Sequence, residues 1–334
     1  YPNTSVTHFL LTIANKTSDG GIHKQQYIYD NNMSLAWKRS KTGTYEWGEW
    51  STSGNENTVI TCGTGKMFTR LRDAVAKGVE LGCKVVVYPG TYDLASEFSE
   101  EISSATGTAG IKLGNGVHVV FMRDAFVKAV FDNTSRWVYD NFEPFYADGD
   151  FILENADIEA SNTRYCVHDE ANGVGTYIHE YINCRMKYSN THTDMNYTQC
   201  IGGGLGENGT VIIDGGYYKS STTVGYASYG DYGTADNSQQ PISFHNGGSE
   251  NANNRIVIKD VYLADRGYLR FGNFGESTIK SDIEVSNCSF GLPILNMYET
   301  IGSAENLEIC AYNNNSRNAK VPFNFPRVIS IIEN

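Results

Sequence analysis

Proline is scarce in this 334-residue chain, at 7, and positive charge is short, with 26 Lys and Arg against 38 Asp and Glu. The resulting net charge of −12 excludes a protein built to sit on a nucleic-acid backbone, which needs a basic surface. Polysaccharides stay open, because sugars are held by stacking and hydrogen bonds. No stretch approaches the roughly 18 apolar residues of a spanning helix, so no membrane insertion is expected. There is no signal-peptide pattern, and a chain that starts at Tyr1 reads as a fragment or a processed product. The 7 cysteines form no CxxC pair and no zinc spacing, and no Asp cluster suggests calcium. Neither a metal nor a cofactor is expected. The cysteines read as free core thiols, with Cys184 and Cys288 pointing inward. Gly63-Thr-Gly-Lys66 lacks the first Gly and the Ser/Thr of a phosphate loop, which argues against nucleotide binding.

Tyr (22) and Gly (34) are plentiful instead, which suits strands joined by many turns. An apolar unit recurs: Phe151-Ile-Leu-Glu-Asn155-Ala-Asp-Ile158, Ile182-Asn183-Cys184-Arg-Met186 and Val211-Ile-Ile-Asp-Gly215-Gly-Tyr-Tyr218. Further copies are Ile256-Val-Ile-Lys-Asp260-Val-Tyr-Leu263, Ile283-Glu-Val-Ser-Asn287-Cys-Ser-Phe290 and, weakly, Leu307-Glu-Ile-Cys310. Aligned on the Asn/Asp/Gly position, the copies lie about 24–45 residues apart, a spacing of stacked repeats. Each copy is a short strand, a one-residue kink and a second short strand. Such a unit buries its apolar side only against its neighbours. The expected fold is all-β, a parallel β-helix.

Two segments carry resemblances. Phe68-Thr-Arg-Leu-Arg-Asp-Ala-Val-Ala-Lys-Gly-Val-Glu-Leu81 has helical apolar spacing, and Lys84-Val-Val-Val-Tyr-Pro-Gly-Thr-Tyr92 reads as a buried strand ending in a turn. This order resembles the N-terminal cap of pectate-lyase-like β-helices, phage tailspikes included. The resemblance implies a right-handed β-helix over residues 56–334, with a capping helix at about 68–81 and rungs at about 84–320. Residues 1–55 read as strands at 8–14, 25–29, 35–39 and 45–50. Their Gln25-Gln-Tyr-Ile-Tyr29, Leu35-Ala-Trp-Lys-Arg39 and Trp47-Gly-Glu-Trp50 landmarks resemble the knob domain of pyocin and phage tail fibres. In a domain this small the tryptophans also serve as a minicore.

Chemistry is expected on a second column of strands: Arg164-Tyr-Cys-Val-His168-Asp169-Glu170, Gln199-Cys-Ile-Gly202-Gly203-Gly204, Ile242-Ser-Phe-His245-Asn246-Gly247 and Leu269-Arg-Phe-Gly272. Stacked in register, His168 and His245 would face each other about 10 Å apart across a glycine rung. His168, Asp169, Glu170 and His245 are the catalytic candidates. Arg164, Asn246 and Arg270 are substrate-binding candidates, with Tyr226, Tyr229 and Tyr232 of a Tyr/Ser/Gly loop. A hydrolase would use carboxylates such as Asp169, Glu170 or Asp194 as acid and base. A lyase would use His168 or His245 as base, with Arg164 or Arg270 offsetting a uronate carboxylate. Adjacent strand residues face opposite ways, so Asp169 and Glu170 are a poor pair by themselves.

What the resemblances imply is a homotrimeric phage tailspike or receptor-binding protein. It would be made in the host cytoplasm and carried on the virion tail. Its N-terminal side would meet other tail proteins, and its wall would recognise a bacterial surface polysaccharide, with or without depolymerase cleavage. The alternatives are a free-standing secreted polysaccharide lyase or glycoside hydrolase, and a non-catalytic structural spike or adhesin.

Overall fold

The computed structural model describes residues 9–16, 22–29, 35–42, 51–52, 58–132, 134–170, 176–191, 199–222, 239–247, 253–265, 267–272, 281–290, 298–301, 307–312, 314–316 and 330–331. The first four strands, Phe9–Lys16, Ile22–Tyr29, Leu35–Thr42 and Ser51–Thr52, form an antiparallel sheet in sequence order. The strand expected at 45–50 lies outside the described residues.

From Val59 onward every strand pairing in the described residues is parallel, and the chain visits three sheets in rotation. One circuit runs Phe151–Glu154, Asp157–Ser161, Val167–His168, and the next returns with Tyr177–Ile182 paired to Phe151–Glu154. The fold is therefore all-β with three parallel sheets and few helices. We call these the long sheet (Val59–Cys62 to Ser330–Ile331), the middle sheet (Gly90–Asp93 to Asn315–Ser316) and the site sheet (Ala109–Leu113 to Tyr298–Ile301).

Strand periodicity places alternate residues inward. On the long sheet one inward column reads Ile60, Val85, Val119, Leu153, Tyr181, Ile213, Ile258, Val285, and all of these are buried. Full burial of a Val, Leu or Ile side chain contributes about 1.5–3 kcal/mol. The column beside it holds Val117, Phe151, His179, Val211, Ile256 and Ile283.

The one-residue kink is a left-handed residue between the long and middle sheets. Asn155, Asn183, Gly215, Asp260 and Asn287 have φ of 56°, 50°, 72°, 57° and 54°. Asn and Asp tolerate this region because a short polar side chain can bond locally. Here Asn183 Nδ2 donates to Asn155 Oδ1 at 2.9 Å, one rung to the next. Cys184 and Cys288 follow these kinks and are fully buried.

The helix expected at about 68–81 occupies Leu71–Leu81 and buries Leu71, Ala74, Val75 and Gly78. It starts later because Phe68 is engaged in a parallel bridge with Cys62. Its first amides, Leu71 N and Arg72 N, each donate to the Glu97 carboxylate at 2.8 Å, which satisfies groups a helix start leaves open. The parallel ladder also begins earlier than residue 84, because Val59–Cys62 precedes the helix and pairs with Lys84–Val87.

Candidate functional site

On the outer face of the site sheet, Thr108, Glu143, Tyr146, Arg164, His168 and Glu170 line a cleft of about 440 Å³, within the size range of ligand sites. His168 is its centre. Its strand is two residues long, pairing Tyr146 with His168 on one side and His168 with Gly202 on the other. His168 Nδ1 lies 2.7 Å from Glu143 Oε1, and Nε2 lies 2.5 Å from Glu170 Oε2. Arg164 spans the same two carboxylates, with Nη1 3.4 Å from Glu143 and Nη2 3.6 Å from Glu170.

The His168 side chain is 8 % exposed. Burial pulls its pKa down, but the hydrogen bonds to Glu143 and Glu170 outweigh this and raise it above the ordinary 6.5. A protonated ring donates from both nitrogens, one toward each carboxyl group. The two carboxyl groups stand on opposite sides of the imidazole, each within hydrogen-bond distance of one ring nitrogen.

Glu143 reaches the cleft through a bulge. Gly110 pairs with Glu143 and Ile111 with Phe145, so Pro144 is an extra residue. Bulges re-aim side chains and are frequent beside active sites. Sequence reasoning missed Glu143. The usable signal was Pro144 inside the run Phe142-Glu-Pro-Phe-Tyr146, because proline within a sheet marks an edge or a bulge.

Asp169 lies elsewhere than its neighbours. It is fully buried on the inner side, where Oδ1 lies 2.6 Å from His179 Nδ1 and Oδ2 accepts from Tyr181 OH at 2.7 Å. His179 is also fully buried, stacked on Phe151 and tilted against Tyr177, with ring centroids at 4.6 Å from each. Tyr177 OH donates in turn to Asn254 Oδ1 at 3.3 Å. Asp169 thus belongs to an interior network, and Glu143 takes the place beside Glu170 in the cleft.

The register also separates the two histidines. Two rungs beyond His168 stands Ser243, because Gly202 pairs with Ser243 and Gly204 with His245. His245 is two residues further along its strand, where Nδ1 lies 2.8 Å from Asn246 O. The two rings do not face each other across the glycine rung. Asn246 is buried. Arg270 does share the His168 column, as Ser243 pairs with Arg270, three rungs or about 14 Å away. Tyr226, Tyr229, Tyr232 and Asp194 lie outside the described residues.

Among the described residues no group of three or more His, Cys, Asp or Glu is placed to hold a metal ion, and no helix is long and apolar enough to cross a membrane. Compared with known proteins, the chain matches no family model, no curated protein and no solved structure.

Proposed function

We propose that the chain is a right-handed parallel β-helix that holds a bacterial surface polysaccharide along its site sheet and hydrolyses it at the Glu143–His168–Glu170 cleft. The three-sheet rotation supports the fold half of this reading. The observation that carries the chemistry is the pair of carboxylates held on opposite nitrogens of one buried imidazole. In the proposed reaction one glutamic acid protonates the glycosidic oxygen as its bond to the anomeric carbon breaks. The other glutamate takes a proton from a water whose oxygen bonds that carbon. His168, bonded to both, couples the charge of one carboxyl to the proton of the other. Arg164 keeps both side chains turned to the cleft. The setting we propose, a homotrimeric phage tailspike joined to other tail proteins through its N-terminal side, is supported by the sequence resemblances at 25–50 and 68–92.

The test is incubation of wild type, Glu143→Gln and Glu170→Gln with purified bacterial surface polysaccharides, following chain length, reducing ends and the unsaturated-uronate absorbance. Hydrolysis predicts shortening with new reducing ends and no absorbance, and loss of about 10²–10⁴ in rate in either variant. Shortening with absorbance would replace hydrolysis by elimination. Binding without shortening would leave a glycan-binding spike.

A further inference from the structure

His168, Asp169 and Glu170 are consecutive, yet only the first and last line the cleft. We propose that Asp169, gripped by His179 and Tyr181, is a positioning residue that seats Glu170 against His168 from inside the protein. The proposal concerns the geometry of the cleft and stands apart from whether a glycan is cleaved there.

The local ladder is too short to do this by itself. The strand Val167–His168 ends before Glu170. One further backbone bond, Asp169 N to Gly202 O at 3.0 Å, continues it by a single step. Inside, the Asp169 carboxylate takes two short bonds from one strand of the long sheet, Tyr177–Ile182, which is itself paired on both sides. That strand is a fixed reference, and the bonds cross the interior to reach it.

The cost of the arrangement argues that it has a purpose beyond packing. His179 and Tyr181 occupy inward columns that are otherwise apolar from Val117 to Ile283 and from Ile60 to Val285. An apolar residue at each would stack, whereas a buried carboxylate must have its hydrogen bonds or be strongly destabilising. Gly203 completes the seat. A Cβ there would stand 2.1 Å from Asp169 O and 2.8 Å from Glu170 N, so the backbone of both residues approaches the next rung at a place only glycine leaves open.

The experiment is NMR titration of the His168 ring in selectively labelled wild type, with His168→Gln to assign the signal. Glu170→Gln removes one bond that raises the ring's pKa, and gives the reference drop. Asp169→Asn is expected to give about half of that drop or more. Adding Glu170→Gln to Asp169→Asn is expected to give less than the sum, because the two changes act on one contact. A folded Asp169→Asn protein whose His168 titrates as in wild type would overturn the proposal. If Asp169→Asn does not fold, Tyr181→Phe answers the same question. It removes one donor and keeps the ring, and a lowered His168 titration supports the proposal while an unchanged one overturns it. A purely structural role would lower the melting temperature and leave the titration in place.

Discussion

Glu143 meets His168 across a bulge: the extra residue Pro144 shifts the register of its strand, and the carboxylate closes to 2.7 Å of Nδ1. The bond joins two side chains that are both nearly buried. A contact of this kind ties the fold to the protonation of one ring.

The sign of the resulting pH dependence is fixed by the raised pKa of His168. The folded chain holds this proton more tightly than the unfolded chain does. Its contribution to stability is therefore complete below pH 6.5 and is lost as pH rises through the raised value. Urea unfolding of wild type should show stability falling above pH 6.5 relative to His168→Gln, with a difference slope of at most about 1.4 kcal/mol per pH unit. A wild-type and variant pair with parallel pH profiles would contradict the assignment.

Gly203 and Gly202 should respond differently to alanine. At Gly203 the new Cβ meets backbone, 2.1 Å from Asp169 O, and backbone on an interior rung has nowhere to go. At Gly202 it meets Gln199 Cγ at 3.0 Å and Cβ at 3.1 Å, contacts relieved by a shift of a few tenths of an ångström. Gly203→Ala should cost about 1–3 kcal/mol or more in a denaturation midpoint series, and Gly202→Ala clearly less. Equal costs would show that the two glycines are not distinguished by what they face.

The kink at Asn183 offers a separate test. Its φ of 50° is costly for alanine, and its amide bonds Asn155. Asn183→Ala should destabilise by about 1–2 kcal/mol. Asn183→Gly should recover part of this, as the equivalent kink at Gly215 already uses glycine. Thermal melts of the two variants decide it.

Thiol reactivity reads the core directly. Burial pushes Cys62, Cys184 and Cys288 up to about 12, and Cys83, Cys166 and Cys200 are buried with them, while Cys310 is half-buried. A disulfide reagent at pH 8 should label one thiol quickly in the folded protein and all 7 in denaturant. Rapid labelling of several would mean that the coil opens readily.

The stacked strands were legible because Val, Ile and Leu alternate with polar residues on either side of a small, regularly placed kink. His168, Glu170 and Arg164 were legible as polar residues crowded at one strand end. Three things were not. Pro144 shifts a register by one residue, and a shift of one exchanges the faces, so Glu143 was hidden. Strand alternation separates Asp169 from Glu170, but does not say which of them faces the core. The run Gly202-Gly203-Gly204 has no side chains to alternate, so it specifies register weakly, and His245 lands two residues from the place assigned to it. The strand Tyr177–Ile182 carried an available signal, since His179 and Tyr181 interrupt columns that are otherwise apolar.

The order out, in, out at residues 168–170 makes this stretch a matter of phase. Removing or inserting one residue just upstream would turn the cleft's imidazole and glutamate into the core and bring the buried carboxylate to the surface. Substitutions can redraw the wall one outward position at a time, but a change of length here rewrites wall and core together. Lineages of this protein should therefore vary freely in letters along the site sheet while keeping the count from Tyr165 to Glu170 in whole two-residue steps.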